Sequence, residues 1–146
     1  MHQIYLILHL ISACVWIGGH IILCLGYLPR AIKNKDVTLI LHFEQKYEPI
    51  GIPALLILVI TGILLSYNYG VEMILWFNFQ SDIVKIISFK IILLFFTFLL
   101  AIHARFFLIP HLSINNLWLL TIHIVSVTVI GLFMLVLGTF IRFGGL

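Results

Sequence analysis

The residues of this chain best suited to chemistry are histidines set in apolar surroundings. His9 and His20 fall in the run "LHLISACVWIGGHIILCLGYLPR", and His103 and His123 lie in two later runs that are just as apolar. Neutral imidazole is a good ligand for iron, copper and zinc, whereas thiolate and thioether favour Cu(I). In hydrocarbon each such side chain must find a partner, so polar residues there point to a site.

Their spacing sorts them by depth. At about 100° per residue, positions 11 apart return to within roughly 20° of one helix face, separated by about 16 Å of rise. His9 and His20 have that interval, and so do His123 and Met134 on the last apolar run. In an up-and-down bundle the first and last helices are antiparallel neighbours. His20 then shares a depth with His123, and His9 shares one with Met134. His103, near the end of the third run, joins the level of His20 and His123.

Two chemistries fit this pattern. Facing histidines can bind haem b axially, with the apolar faces of the porphyrin packed between helices. An inner site would use His20 and His123, with His103 as substitute or supporting partner. An outer site would use His9, with Met134. Arg30 and Arg105 are candidate partners for the propionates of an inner haem, and Lys90 or Arg142 for those of an outer one. The alternative is copper, bound by His20, His123 and His9 alone or together with Cys24, one turn after His20, and with Cys14 and Met134. The plainer reading makes the basic residues anchors at headgroup level and the cysteines small hydrophobes. Gly18, Gly19, Gly26, Gly62, Gly131 and Gly138 would let a flat macrocycle or a neighbouring backbone come close, and ordinary membrane helix packing uses small residues in the same way.

The elements that must position these residues follow from composition. A chain of 146 residues that is 63% hydrophobic and 9% charged is too apolar for one small soluble core. It reads as an integral membrane protein. Four apolar segments, about 4–28, 50–67, 84–108 and 117–141, each approach the roughly 20 residues a bilayer requires. The expectation is therefore an all-α, up-and-down four-helix bundle forming a single transmembrane domain over 1–146. The first run lacks the basic start of a secretory signal and reads as a retained span. Its two cysteines are too far apart along one helix to bridge each other.

The connections carry further information. The first holds Arg30, Lys33, Lys35 and Lys46, the third begins near Arg105, and the second holds Glu72 and Asp82 with Lys85 at its edge. Counting Lys and Arg places the first and third in the cytoplasm and both termini on the outer, periplasmic side. Residues 37–48 follow a cap at Asp36 and keep helical spacing. They suit an interfacial helix or a cytoplasmic extension of the second span, bent at Pro49 and Pro53. Glu44, Glu48 and His42 read as a solvated face, the lesser alternative being a glutamate turned inward to hold Arg30 or serve a site.

Some classes are excluded. There is no Gly-rich phosphate loop, Ser/His/Asp set, CxxC pair or CxxCH motif, which argues against a soluble-type hydrolase or nucleotide enzyme. A net charge of +3 is ordinary for a membrane protein with basic cytoplasmic loops and makes no case for nucleic acid. The partner that remains is the lipid bilayer, with a homodimer contact open to Gly62 or the last-span glycines. A blander reading makes the chain an accessory subunit of a respiratory complex, its histidines only hydrogen-bonding between helices.

The segments "LHLISACVWIGGH", "YLPRAIK", "FEQKYEPIGIPALLILVITGILL", "KIILLFFTFLLAIHARFFLIPHL" and "LTIHIVSVTVIGLFMLVLGTFIRFGG" together resemble the CopD family of bacterial inner-membrane proteins over nearly the whole chain. The resemblance implies a multi-pass protein of the bacterial inner (cytoplasmic) membrane, with His9, His20 and His123 at the family's histidine positions and an association with copper handling. The larger CopD members have additional helices that this chain lacks. The opening is also similar, more distantly, to the HemJ type of protoporphyrinogen oxidase, a four-helix membrane protein thought to bind haem b. His9, Trp16 and the "YLPR" of Tyr27 to Arg30 match there, and Lys90 followed by His103 echoes its third helix. Four extra residues, His20 among them, precede "YLPR" here, and "GTFIRFGGL" stands where HemJ proteins have a polar, lysine-containing tail. The combined expectation is a CopD-like membrane cytochrome with one or two haem b groups, for electron transport between a quinol or periplasmic donor and an acceptor on the other face. Were it an enzyme, it would be a haem-dependent membrane oxidoreductase.

Overall fold

In a bilayer every backbone N–H and C=O must be paired within the protein, and helices achieve this within one segment. The computed structural model, which describes residues 1–142, is built from helices throughout. Helix α1 (His2–Ile22) continues through a π turn (Leu23–Tyr27) into α2 (Leu28–Asn34). A turn leads to α3 (Thr38–Asn68). After the second connection, α4 (Asp82–His103) runs through a second π turn (Ala104–Leu108) and a 3₁₀ turn (Ile109–His111). Another 3₁₀ turn (Ile114–Asn116) opens α5 (Leu117–Arg142). Four stretches, His2–Asn34, Thr38–Asn68, Asp82–His111 and Ile114–Arg142, are long and apolar enough to cross a membrane, so the chain is a multi-pass membrane protein.

The second span differs from its expected start near residue 50. Of the two expected forms, residues 38–48 take the extension of the second span and not the separate interfacial helix, and α3 runs through both Pro49 and Pro53. Each proline withdraws one N–H and leaves one carbonyl, that of Gln45 and of Pro49, without its helical donor, a loss the neighbouring helices and the rim can absorb. Pro29 and Pro110 are handled differently. The ring of each presses on the carbonyl four residues earlier, and each follows a π turn, which widens the helix just there. Both π turns begin within three residues of a histidine, His20 in one case and His103 in the other.

The turns are held by side chains. Asp36 accepts from the backbone N of Thr38 at 2.9 Å and from its hydroxyl at 2.6 Å, which starts α3 and holds the Asp36 carboxyl below the usual carboxylate range. In the second connection Trp76 Nε1 donates to Ser66 Oγ (3.1 Å), and the backbone N of Phe77 donates to Ser88 Oγ (3.2 Å). Ser81 then caps α4. Within the spans, Thr61, Thr97, Thr121 and Thr128 each donate to the carbonyl one turn back, which keeps these four hydroxyls paired in hydrocarbon.

Helix α1 packs along α3, α4 packs along α5, and the two hairpins meet where α1 lies against α5. Helices α3 and α4 hardly touch. One buried cluster, including Leu23, Ile40, Leu117 and Leu120, fills the end that carries Arg30 and Arg105, hereafter the basic end. A second, with Trp16, Ile17, Ala54 and Val127, fills the middle.

Candidate functional site

The gap left between α3 and α4 is a cavity of about 360 Å³, floored by α1 and α5. His20 from α1 and His123 from α5 both line it, so the two positions paired by sequence spacing share one chamber. His20 Nδ1 lies 2.9 Å from the Trp16 carbonyl and His123 Nδ1 lies 2.9 Å from the Leu119 carbonyl, each one turn back on its own helix. A carbonyl only accepts, so in this network both Nδ1 atoms carry the hydrogen and both Nε2 atoms are bare.

His103 completes the level but not the cavity. Its Nδ1 lies 2.9 Å from His123 Nε2, and the two rings are nearly parallel, 20° apart with centroids at 4.9 Å. Because His123 Nε2 is bare, His103 must be the donor. His103 therefore occupies the lone pair of His123 while standing exposed on the outside of the bundle. Among the described residues the lone pair of His20 has no such competitor.

His9 sits elsewhere. Its Nδ1 lies 3.0 Å from Thr61 Oγ1; that hydroxyl donates to the Ile57 carbonyl, so it accepts from His9. A Cβ at Gly62 would approach His9 Cε1 to 3.3 Å, so the glycine makes room for the ring. His9 thus turns toward α3, Met134 is buried on α5, and neither lines the cavity.

The charged residues depart most from expectation. Glu44 and Glu48 are not a solvated face: both line the cavity, and Glu48 Oε1 meets Arg105 Nη2 at 2.8 Å. The reason is the continuity of α3 through Pro49, which puts residues 44, 47, 48 and 51 on one helical face. His42, outside that face, is exposed as expected. Arg30 is exposed on α2 and outside the cavity, so the inward glutamate holds Arg105 and not Arg30. Cys24 is half-buried against the cluster around Leu23, and Cys14 is exposed; neither lines the cavity.

Tyr47 is the residue that sequence reasoning missed. Its ring fills a slot between Gly19 on α1 and Gly51 on its own helix, where any Cβ would collide with it. Its hydroxyl donates to the Trp16 carbonyl at 2.8 Å, the same oxygen that holds His20 Nδ1. The ring stands edge-on to His20 at 6.1 Å and stacks on Phe43 at 5.3 Å. Gly19 and Gly51 were the available signal, since an aromatic residue one turn before a glycine has room to lie over it. The other glycines likewise admit side chains from neighbours: Gly131 admits Trp16 and Ile17, and Gly138 admits Lys90, while Gly18 and Gly26 face open space.

Among the described residues no three His, Cys, Asp or Glu side chains converge to hold a bare metal ion. The two imidazoles that line the chamber, His20 and His123, are the residues that could hold a metal-bearing cofactor there. Arg105 at the rim offers the fork a carboxylate needs. No protein-family model, curated protein or solved structure matches the chain.

Proposed function

We propose that this chain is a CopD-like membrane cytochrome of the bacterial inner membrane, holding haem b between His20 and His123, with both termini on the periplasmic side. The observation that carries the reading is the shared cavity, into which two histidines project with their Nδ1–H groups committed to backbone carbonyls. That commitment is the outer-shell arrangement that orients a histidine ligand and raises its basicity. The residues fit the group in kind. His20 offers Nε2 outright, and His123 offers its own once His103 turns away. The walls, among them Leu55, Leu100 and Val127, are apolar, and the α3–α4 gap can widen because little backbone packing closes it.

Bound there, haem b supplies a one-electron couple, fed by a quinol or a periplasmic donor. The chain's own part is to fix two imidazole tautomers, exclude water with aliphatic walls, and hold an anionic group at Arg105. His9, its Nδ1–H tied to Thr61, is equally prepared as a ligand, and with Met134 on α5 it would serve a second haem in the outer half.

The test is the reduced-minus-oxidised spectrum of the purified protein from haem-replete cells. A haem b spectrum is expected, abolished or converted to a five-coordinate form in His20→Ala while the protein still inserts. A colourless preparation yielding no haem by pyridine extraction refutes the reading, and stoichiometric copper in that sample would replace it with the copper one.

A further inference from the structure

The cavity opens sideways. Its mouth is flanked by Ile52 and Leu56 on α3 and by Ile102 and Phe106 on the opposite wall, exposed to 51%, 55%, 51% and 67%. Such a rim faces hydrocarbon when the spans cross a bilayer. Among the described residues a single ion pair crosses the mouth, Glu48 to Arg105 at 2.8 Å; the other, Lys85 with Asp82, is local to α4. Glu44 lines the same chamber one turn away, so the guanidinium is the one cationic group among the cavity's lining residues.

We propose that the Glu48–Arg105 pair is an exchangeable latch that selects ligands by their carboxylates: a flat, lipophilic tetrapyrrole moving in from the bilayer takes Arg105 from Glu48 with one of its own acid groups. The inference rests on the haem reading above. Arginine presents a rigid fork of donors that matches any carboxylate, so one carboxylate can replace another without loss of charge pairing. A neutral ester of the same ring cannot make the exchange. It would have to enter either around the closed pair or by leaving the guanidinium, its side chain 52% exposed, and the carboxylate unpaired at a mouth that faces hydrocarbon when the spans cross a bilayer. The displaced Glu48, whose side chain is 29% exposed, regains water at the rim.

The experiment uses the full chain in lipid nanodiscs, prepared without haem, and follows uptake by absorbance with haem b and with its dimethyl ester. The wild type should bind the diacid about tenfold more tightly than the diester, the margin set by one hydrogen-bonded charge pair. Arg105→Gln should abolish the preference. Glu48→Gln, which leaves Arg105 in place and unclaimed, should take up the diacid about tenfold faster than wild type. Equal binding of diacid and diester by the wild type, or a preference that survives Arg105→Gln, overturns the latch and leaves the haem reading standing. An unchanged uptake rate in Glu48→Gln does the same. Binding of neither compound overturns the haem reading itself.

Discussion

Replacing Gly19 by alanine tests whether Tyr47 is the peg that registers α1 against α3. A methyl at Gly19 would overlap the Tyr47 ring, and the opposite side of the slot is shut by Gly51, whose own Cβ would lie 2.5 Å from the ring. The tyrosine must leave or the helices must part. Leaving forfeits the hydroxyl's bond to the Trp16 carbonyl, about 1 kcal/mol, and disturbs packing by about 1–3 kcal/mol. Against this, alanine improves helix propensity by up to about 1 kcal/mol over glycine. The net loss is about 1–3 kcal/mol, or roughly 2–12 °C in thermal midpoint for a chain of this length. Gly18→Ala is the internal control, since nothing lies within 4 Å of a Cβ there and only the propensity gain remains. Thermal unfolding of both variants in one detergent should therefore move them in opposite directions. In a Tyr47→Ala background the Gly19→Ala penalty should shrink toward the propensity gain, as coupled neighbours require. Equal midpoints for the two glycine variants, or a penalty independent of Tyr47, would refute the peg.

Two further outcomes follow from the geometry. Thr61→Val preserves shape but removes the acceptor for His9 Nδ1–H, so it should cost about 1–3 kcal/mol in detergent unfolding; a midpoint equal to wild type would show that His9 is satisfied elsewhere. The Asp36 carboxyl is held below its usual range by Thr38, so its contribution exists above the unfolded-state pKa and disappears as pH falls through the lower, folded-state value. Asp36→Ala should accordingly be less stable than wild type at neutral pH and converge with it in acid; a difference that persists below the carboxylate range argues against the ionised cap.

Much of this architecture was legible because bilayer thickness and helical period are strict. Four apolar runs could only be spans, and His20 and His123 line one chamber, the π turn of the first span falling after His20 and the last span having none among the described residues. What failed did so for identifiable reasons. Hydropathy assigns charge to water, so Glu44 and Glu48 were placed outside although a chamber in the bundle has room for them. Proline reads equally as a boundary or a bend, so the sequence left residues 37–48 open between an interfacial helix and the extension of α3 that is found. The choice between Arg30 and Arg105 depends on the azimuth that the π turns give them, Arg30 lying three residues beyond one and Arg105 within the other, and hydropathy does not report azimuth. Tyr47 required knowing that α1 and α3 are partners. His103 had its depth set by its position in the third span, but its bond to His123 depends on the azimuth of α4.

The sparse contact between α3 and α4 has a consequence for the setting of the protein. Two hairpins joined along one seam form a book whose spine is α1 against α5 and whose fore-edge stands ajar. Acyl chains then serve as the missing wall. A bilayer of different thickness or lateral pressure would set the gape of that edge, making the surrounding lipid a component of the chamber's wall and detergent a change to its composition.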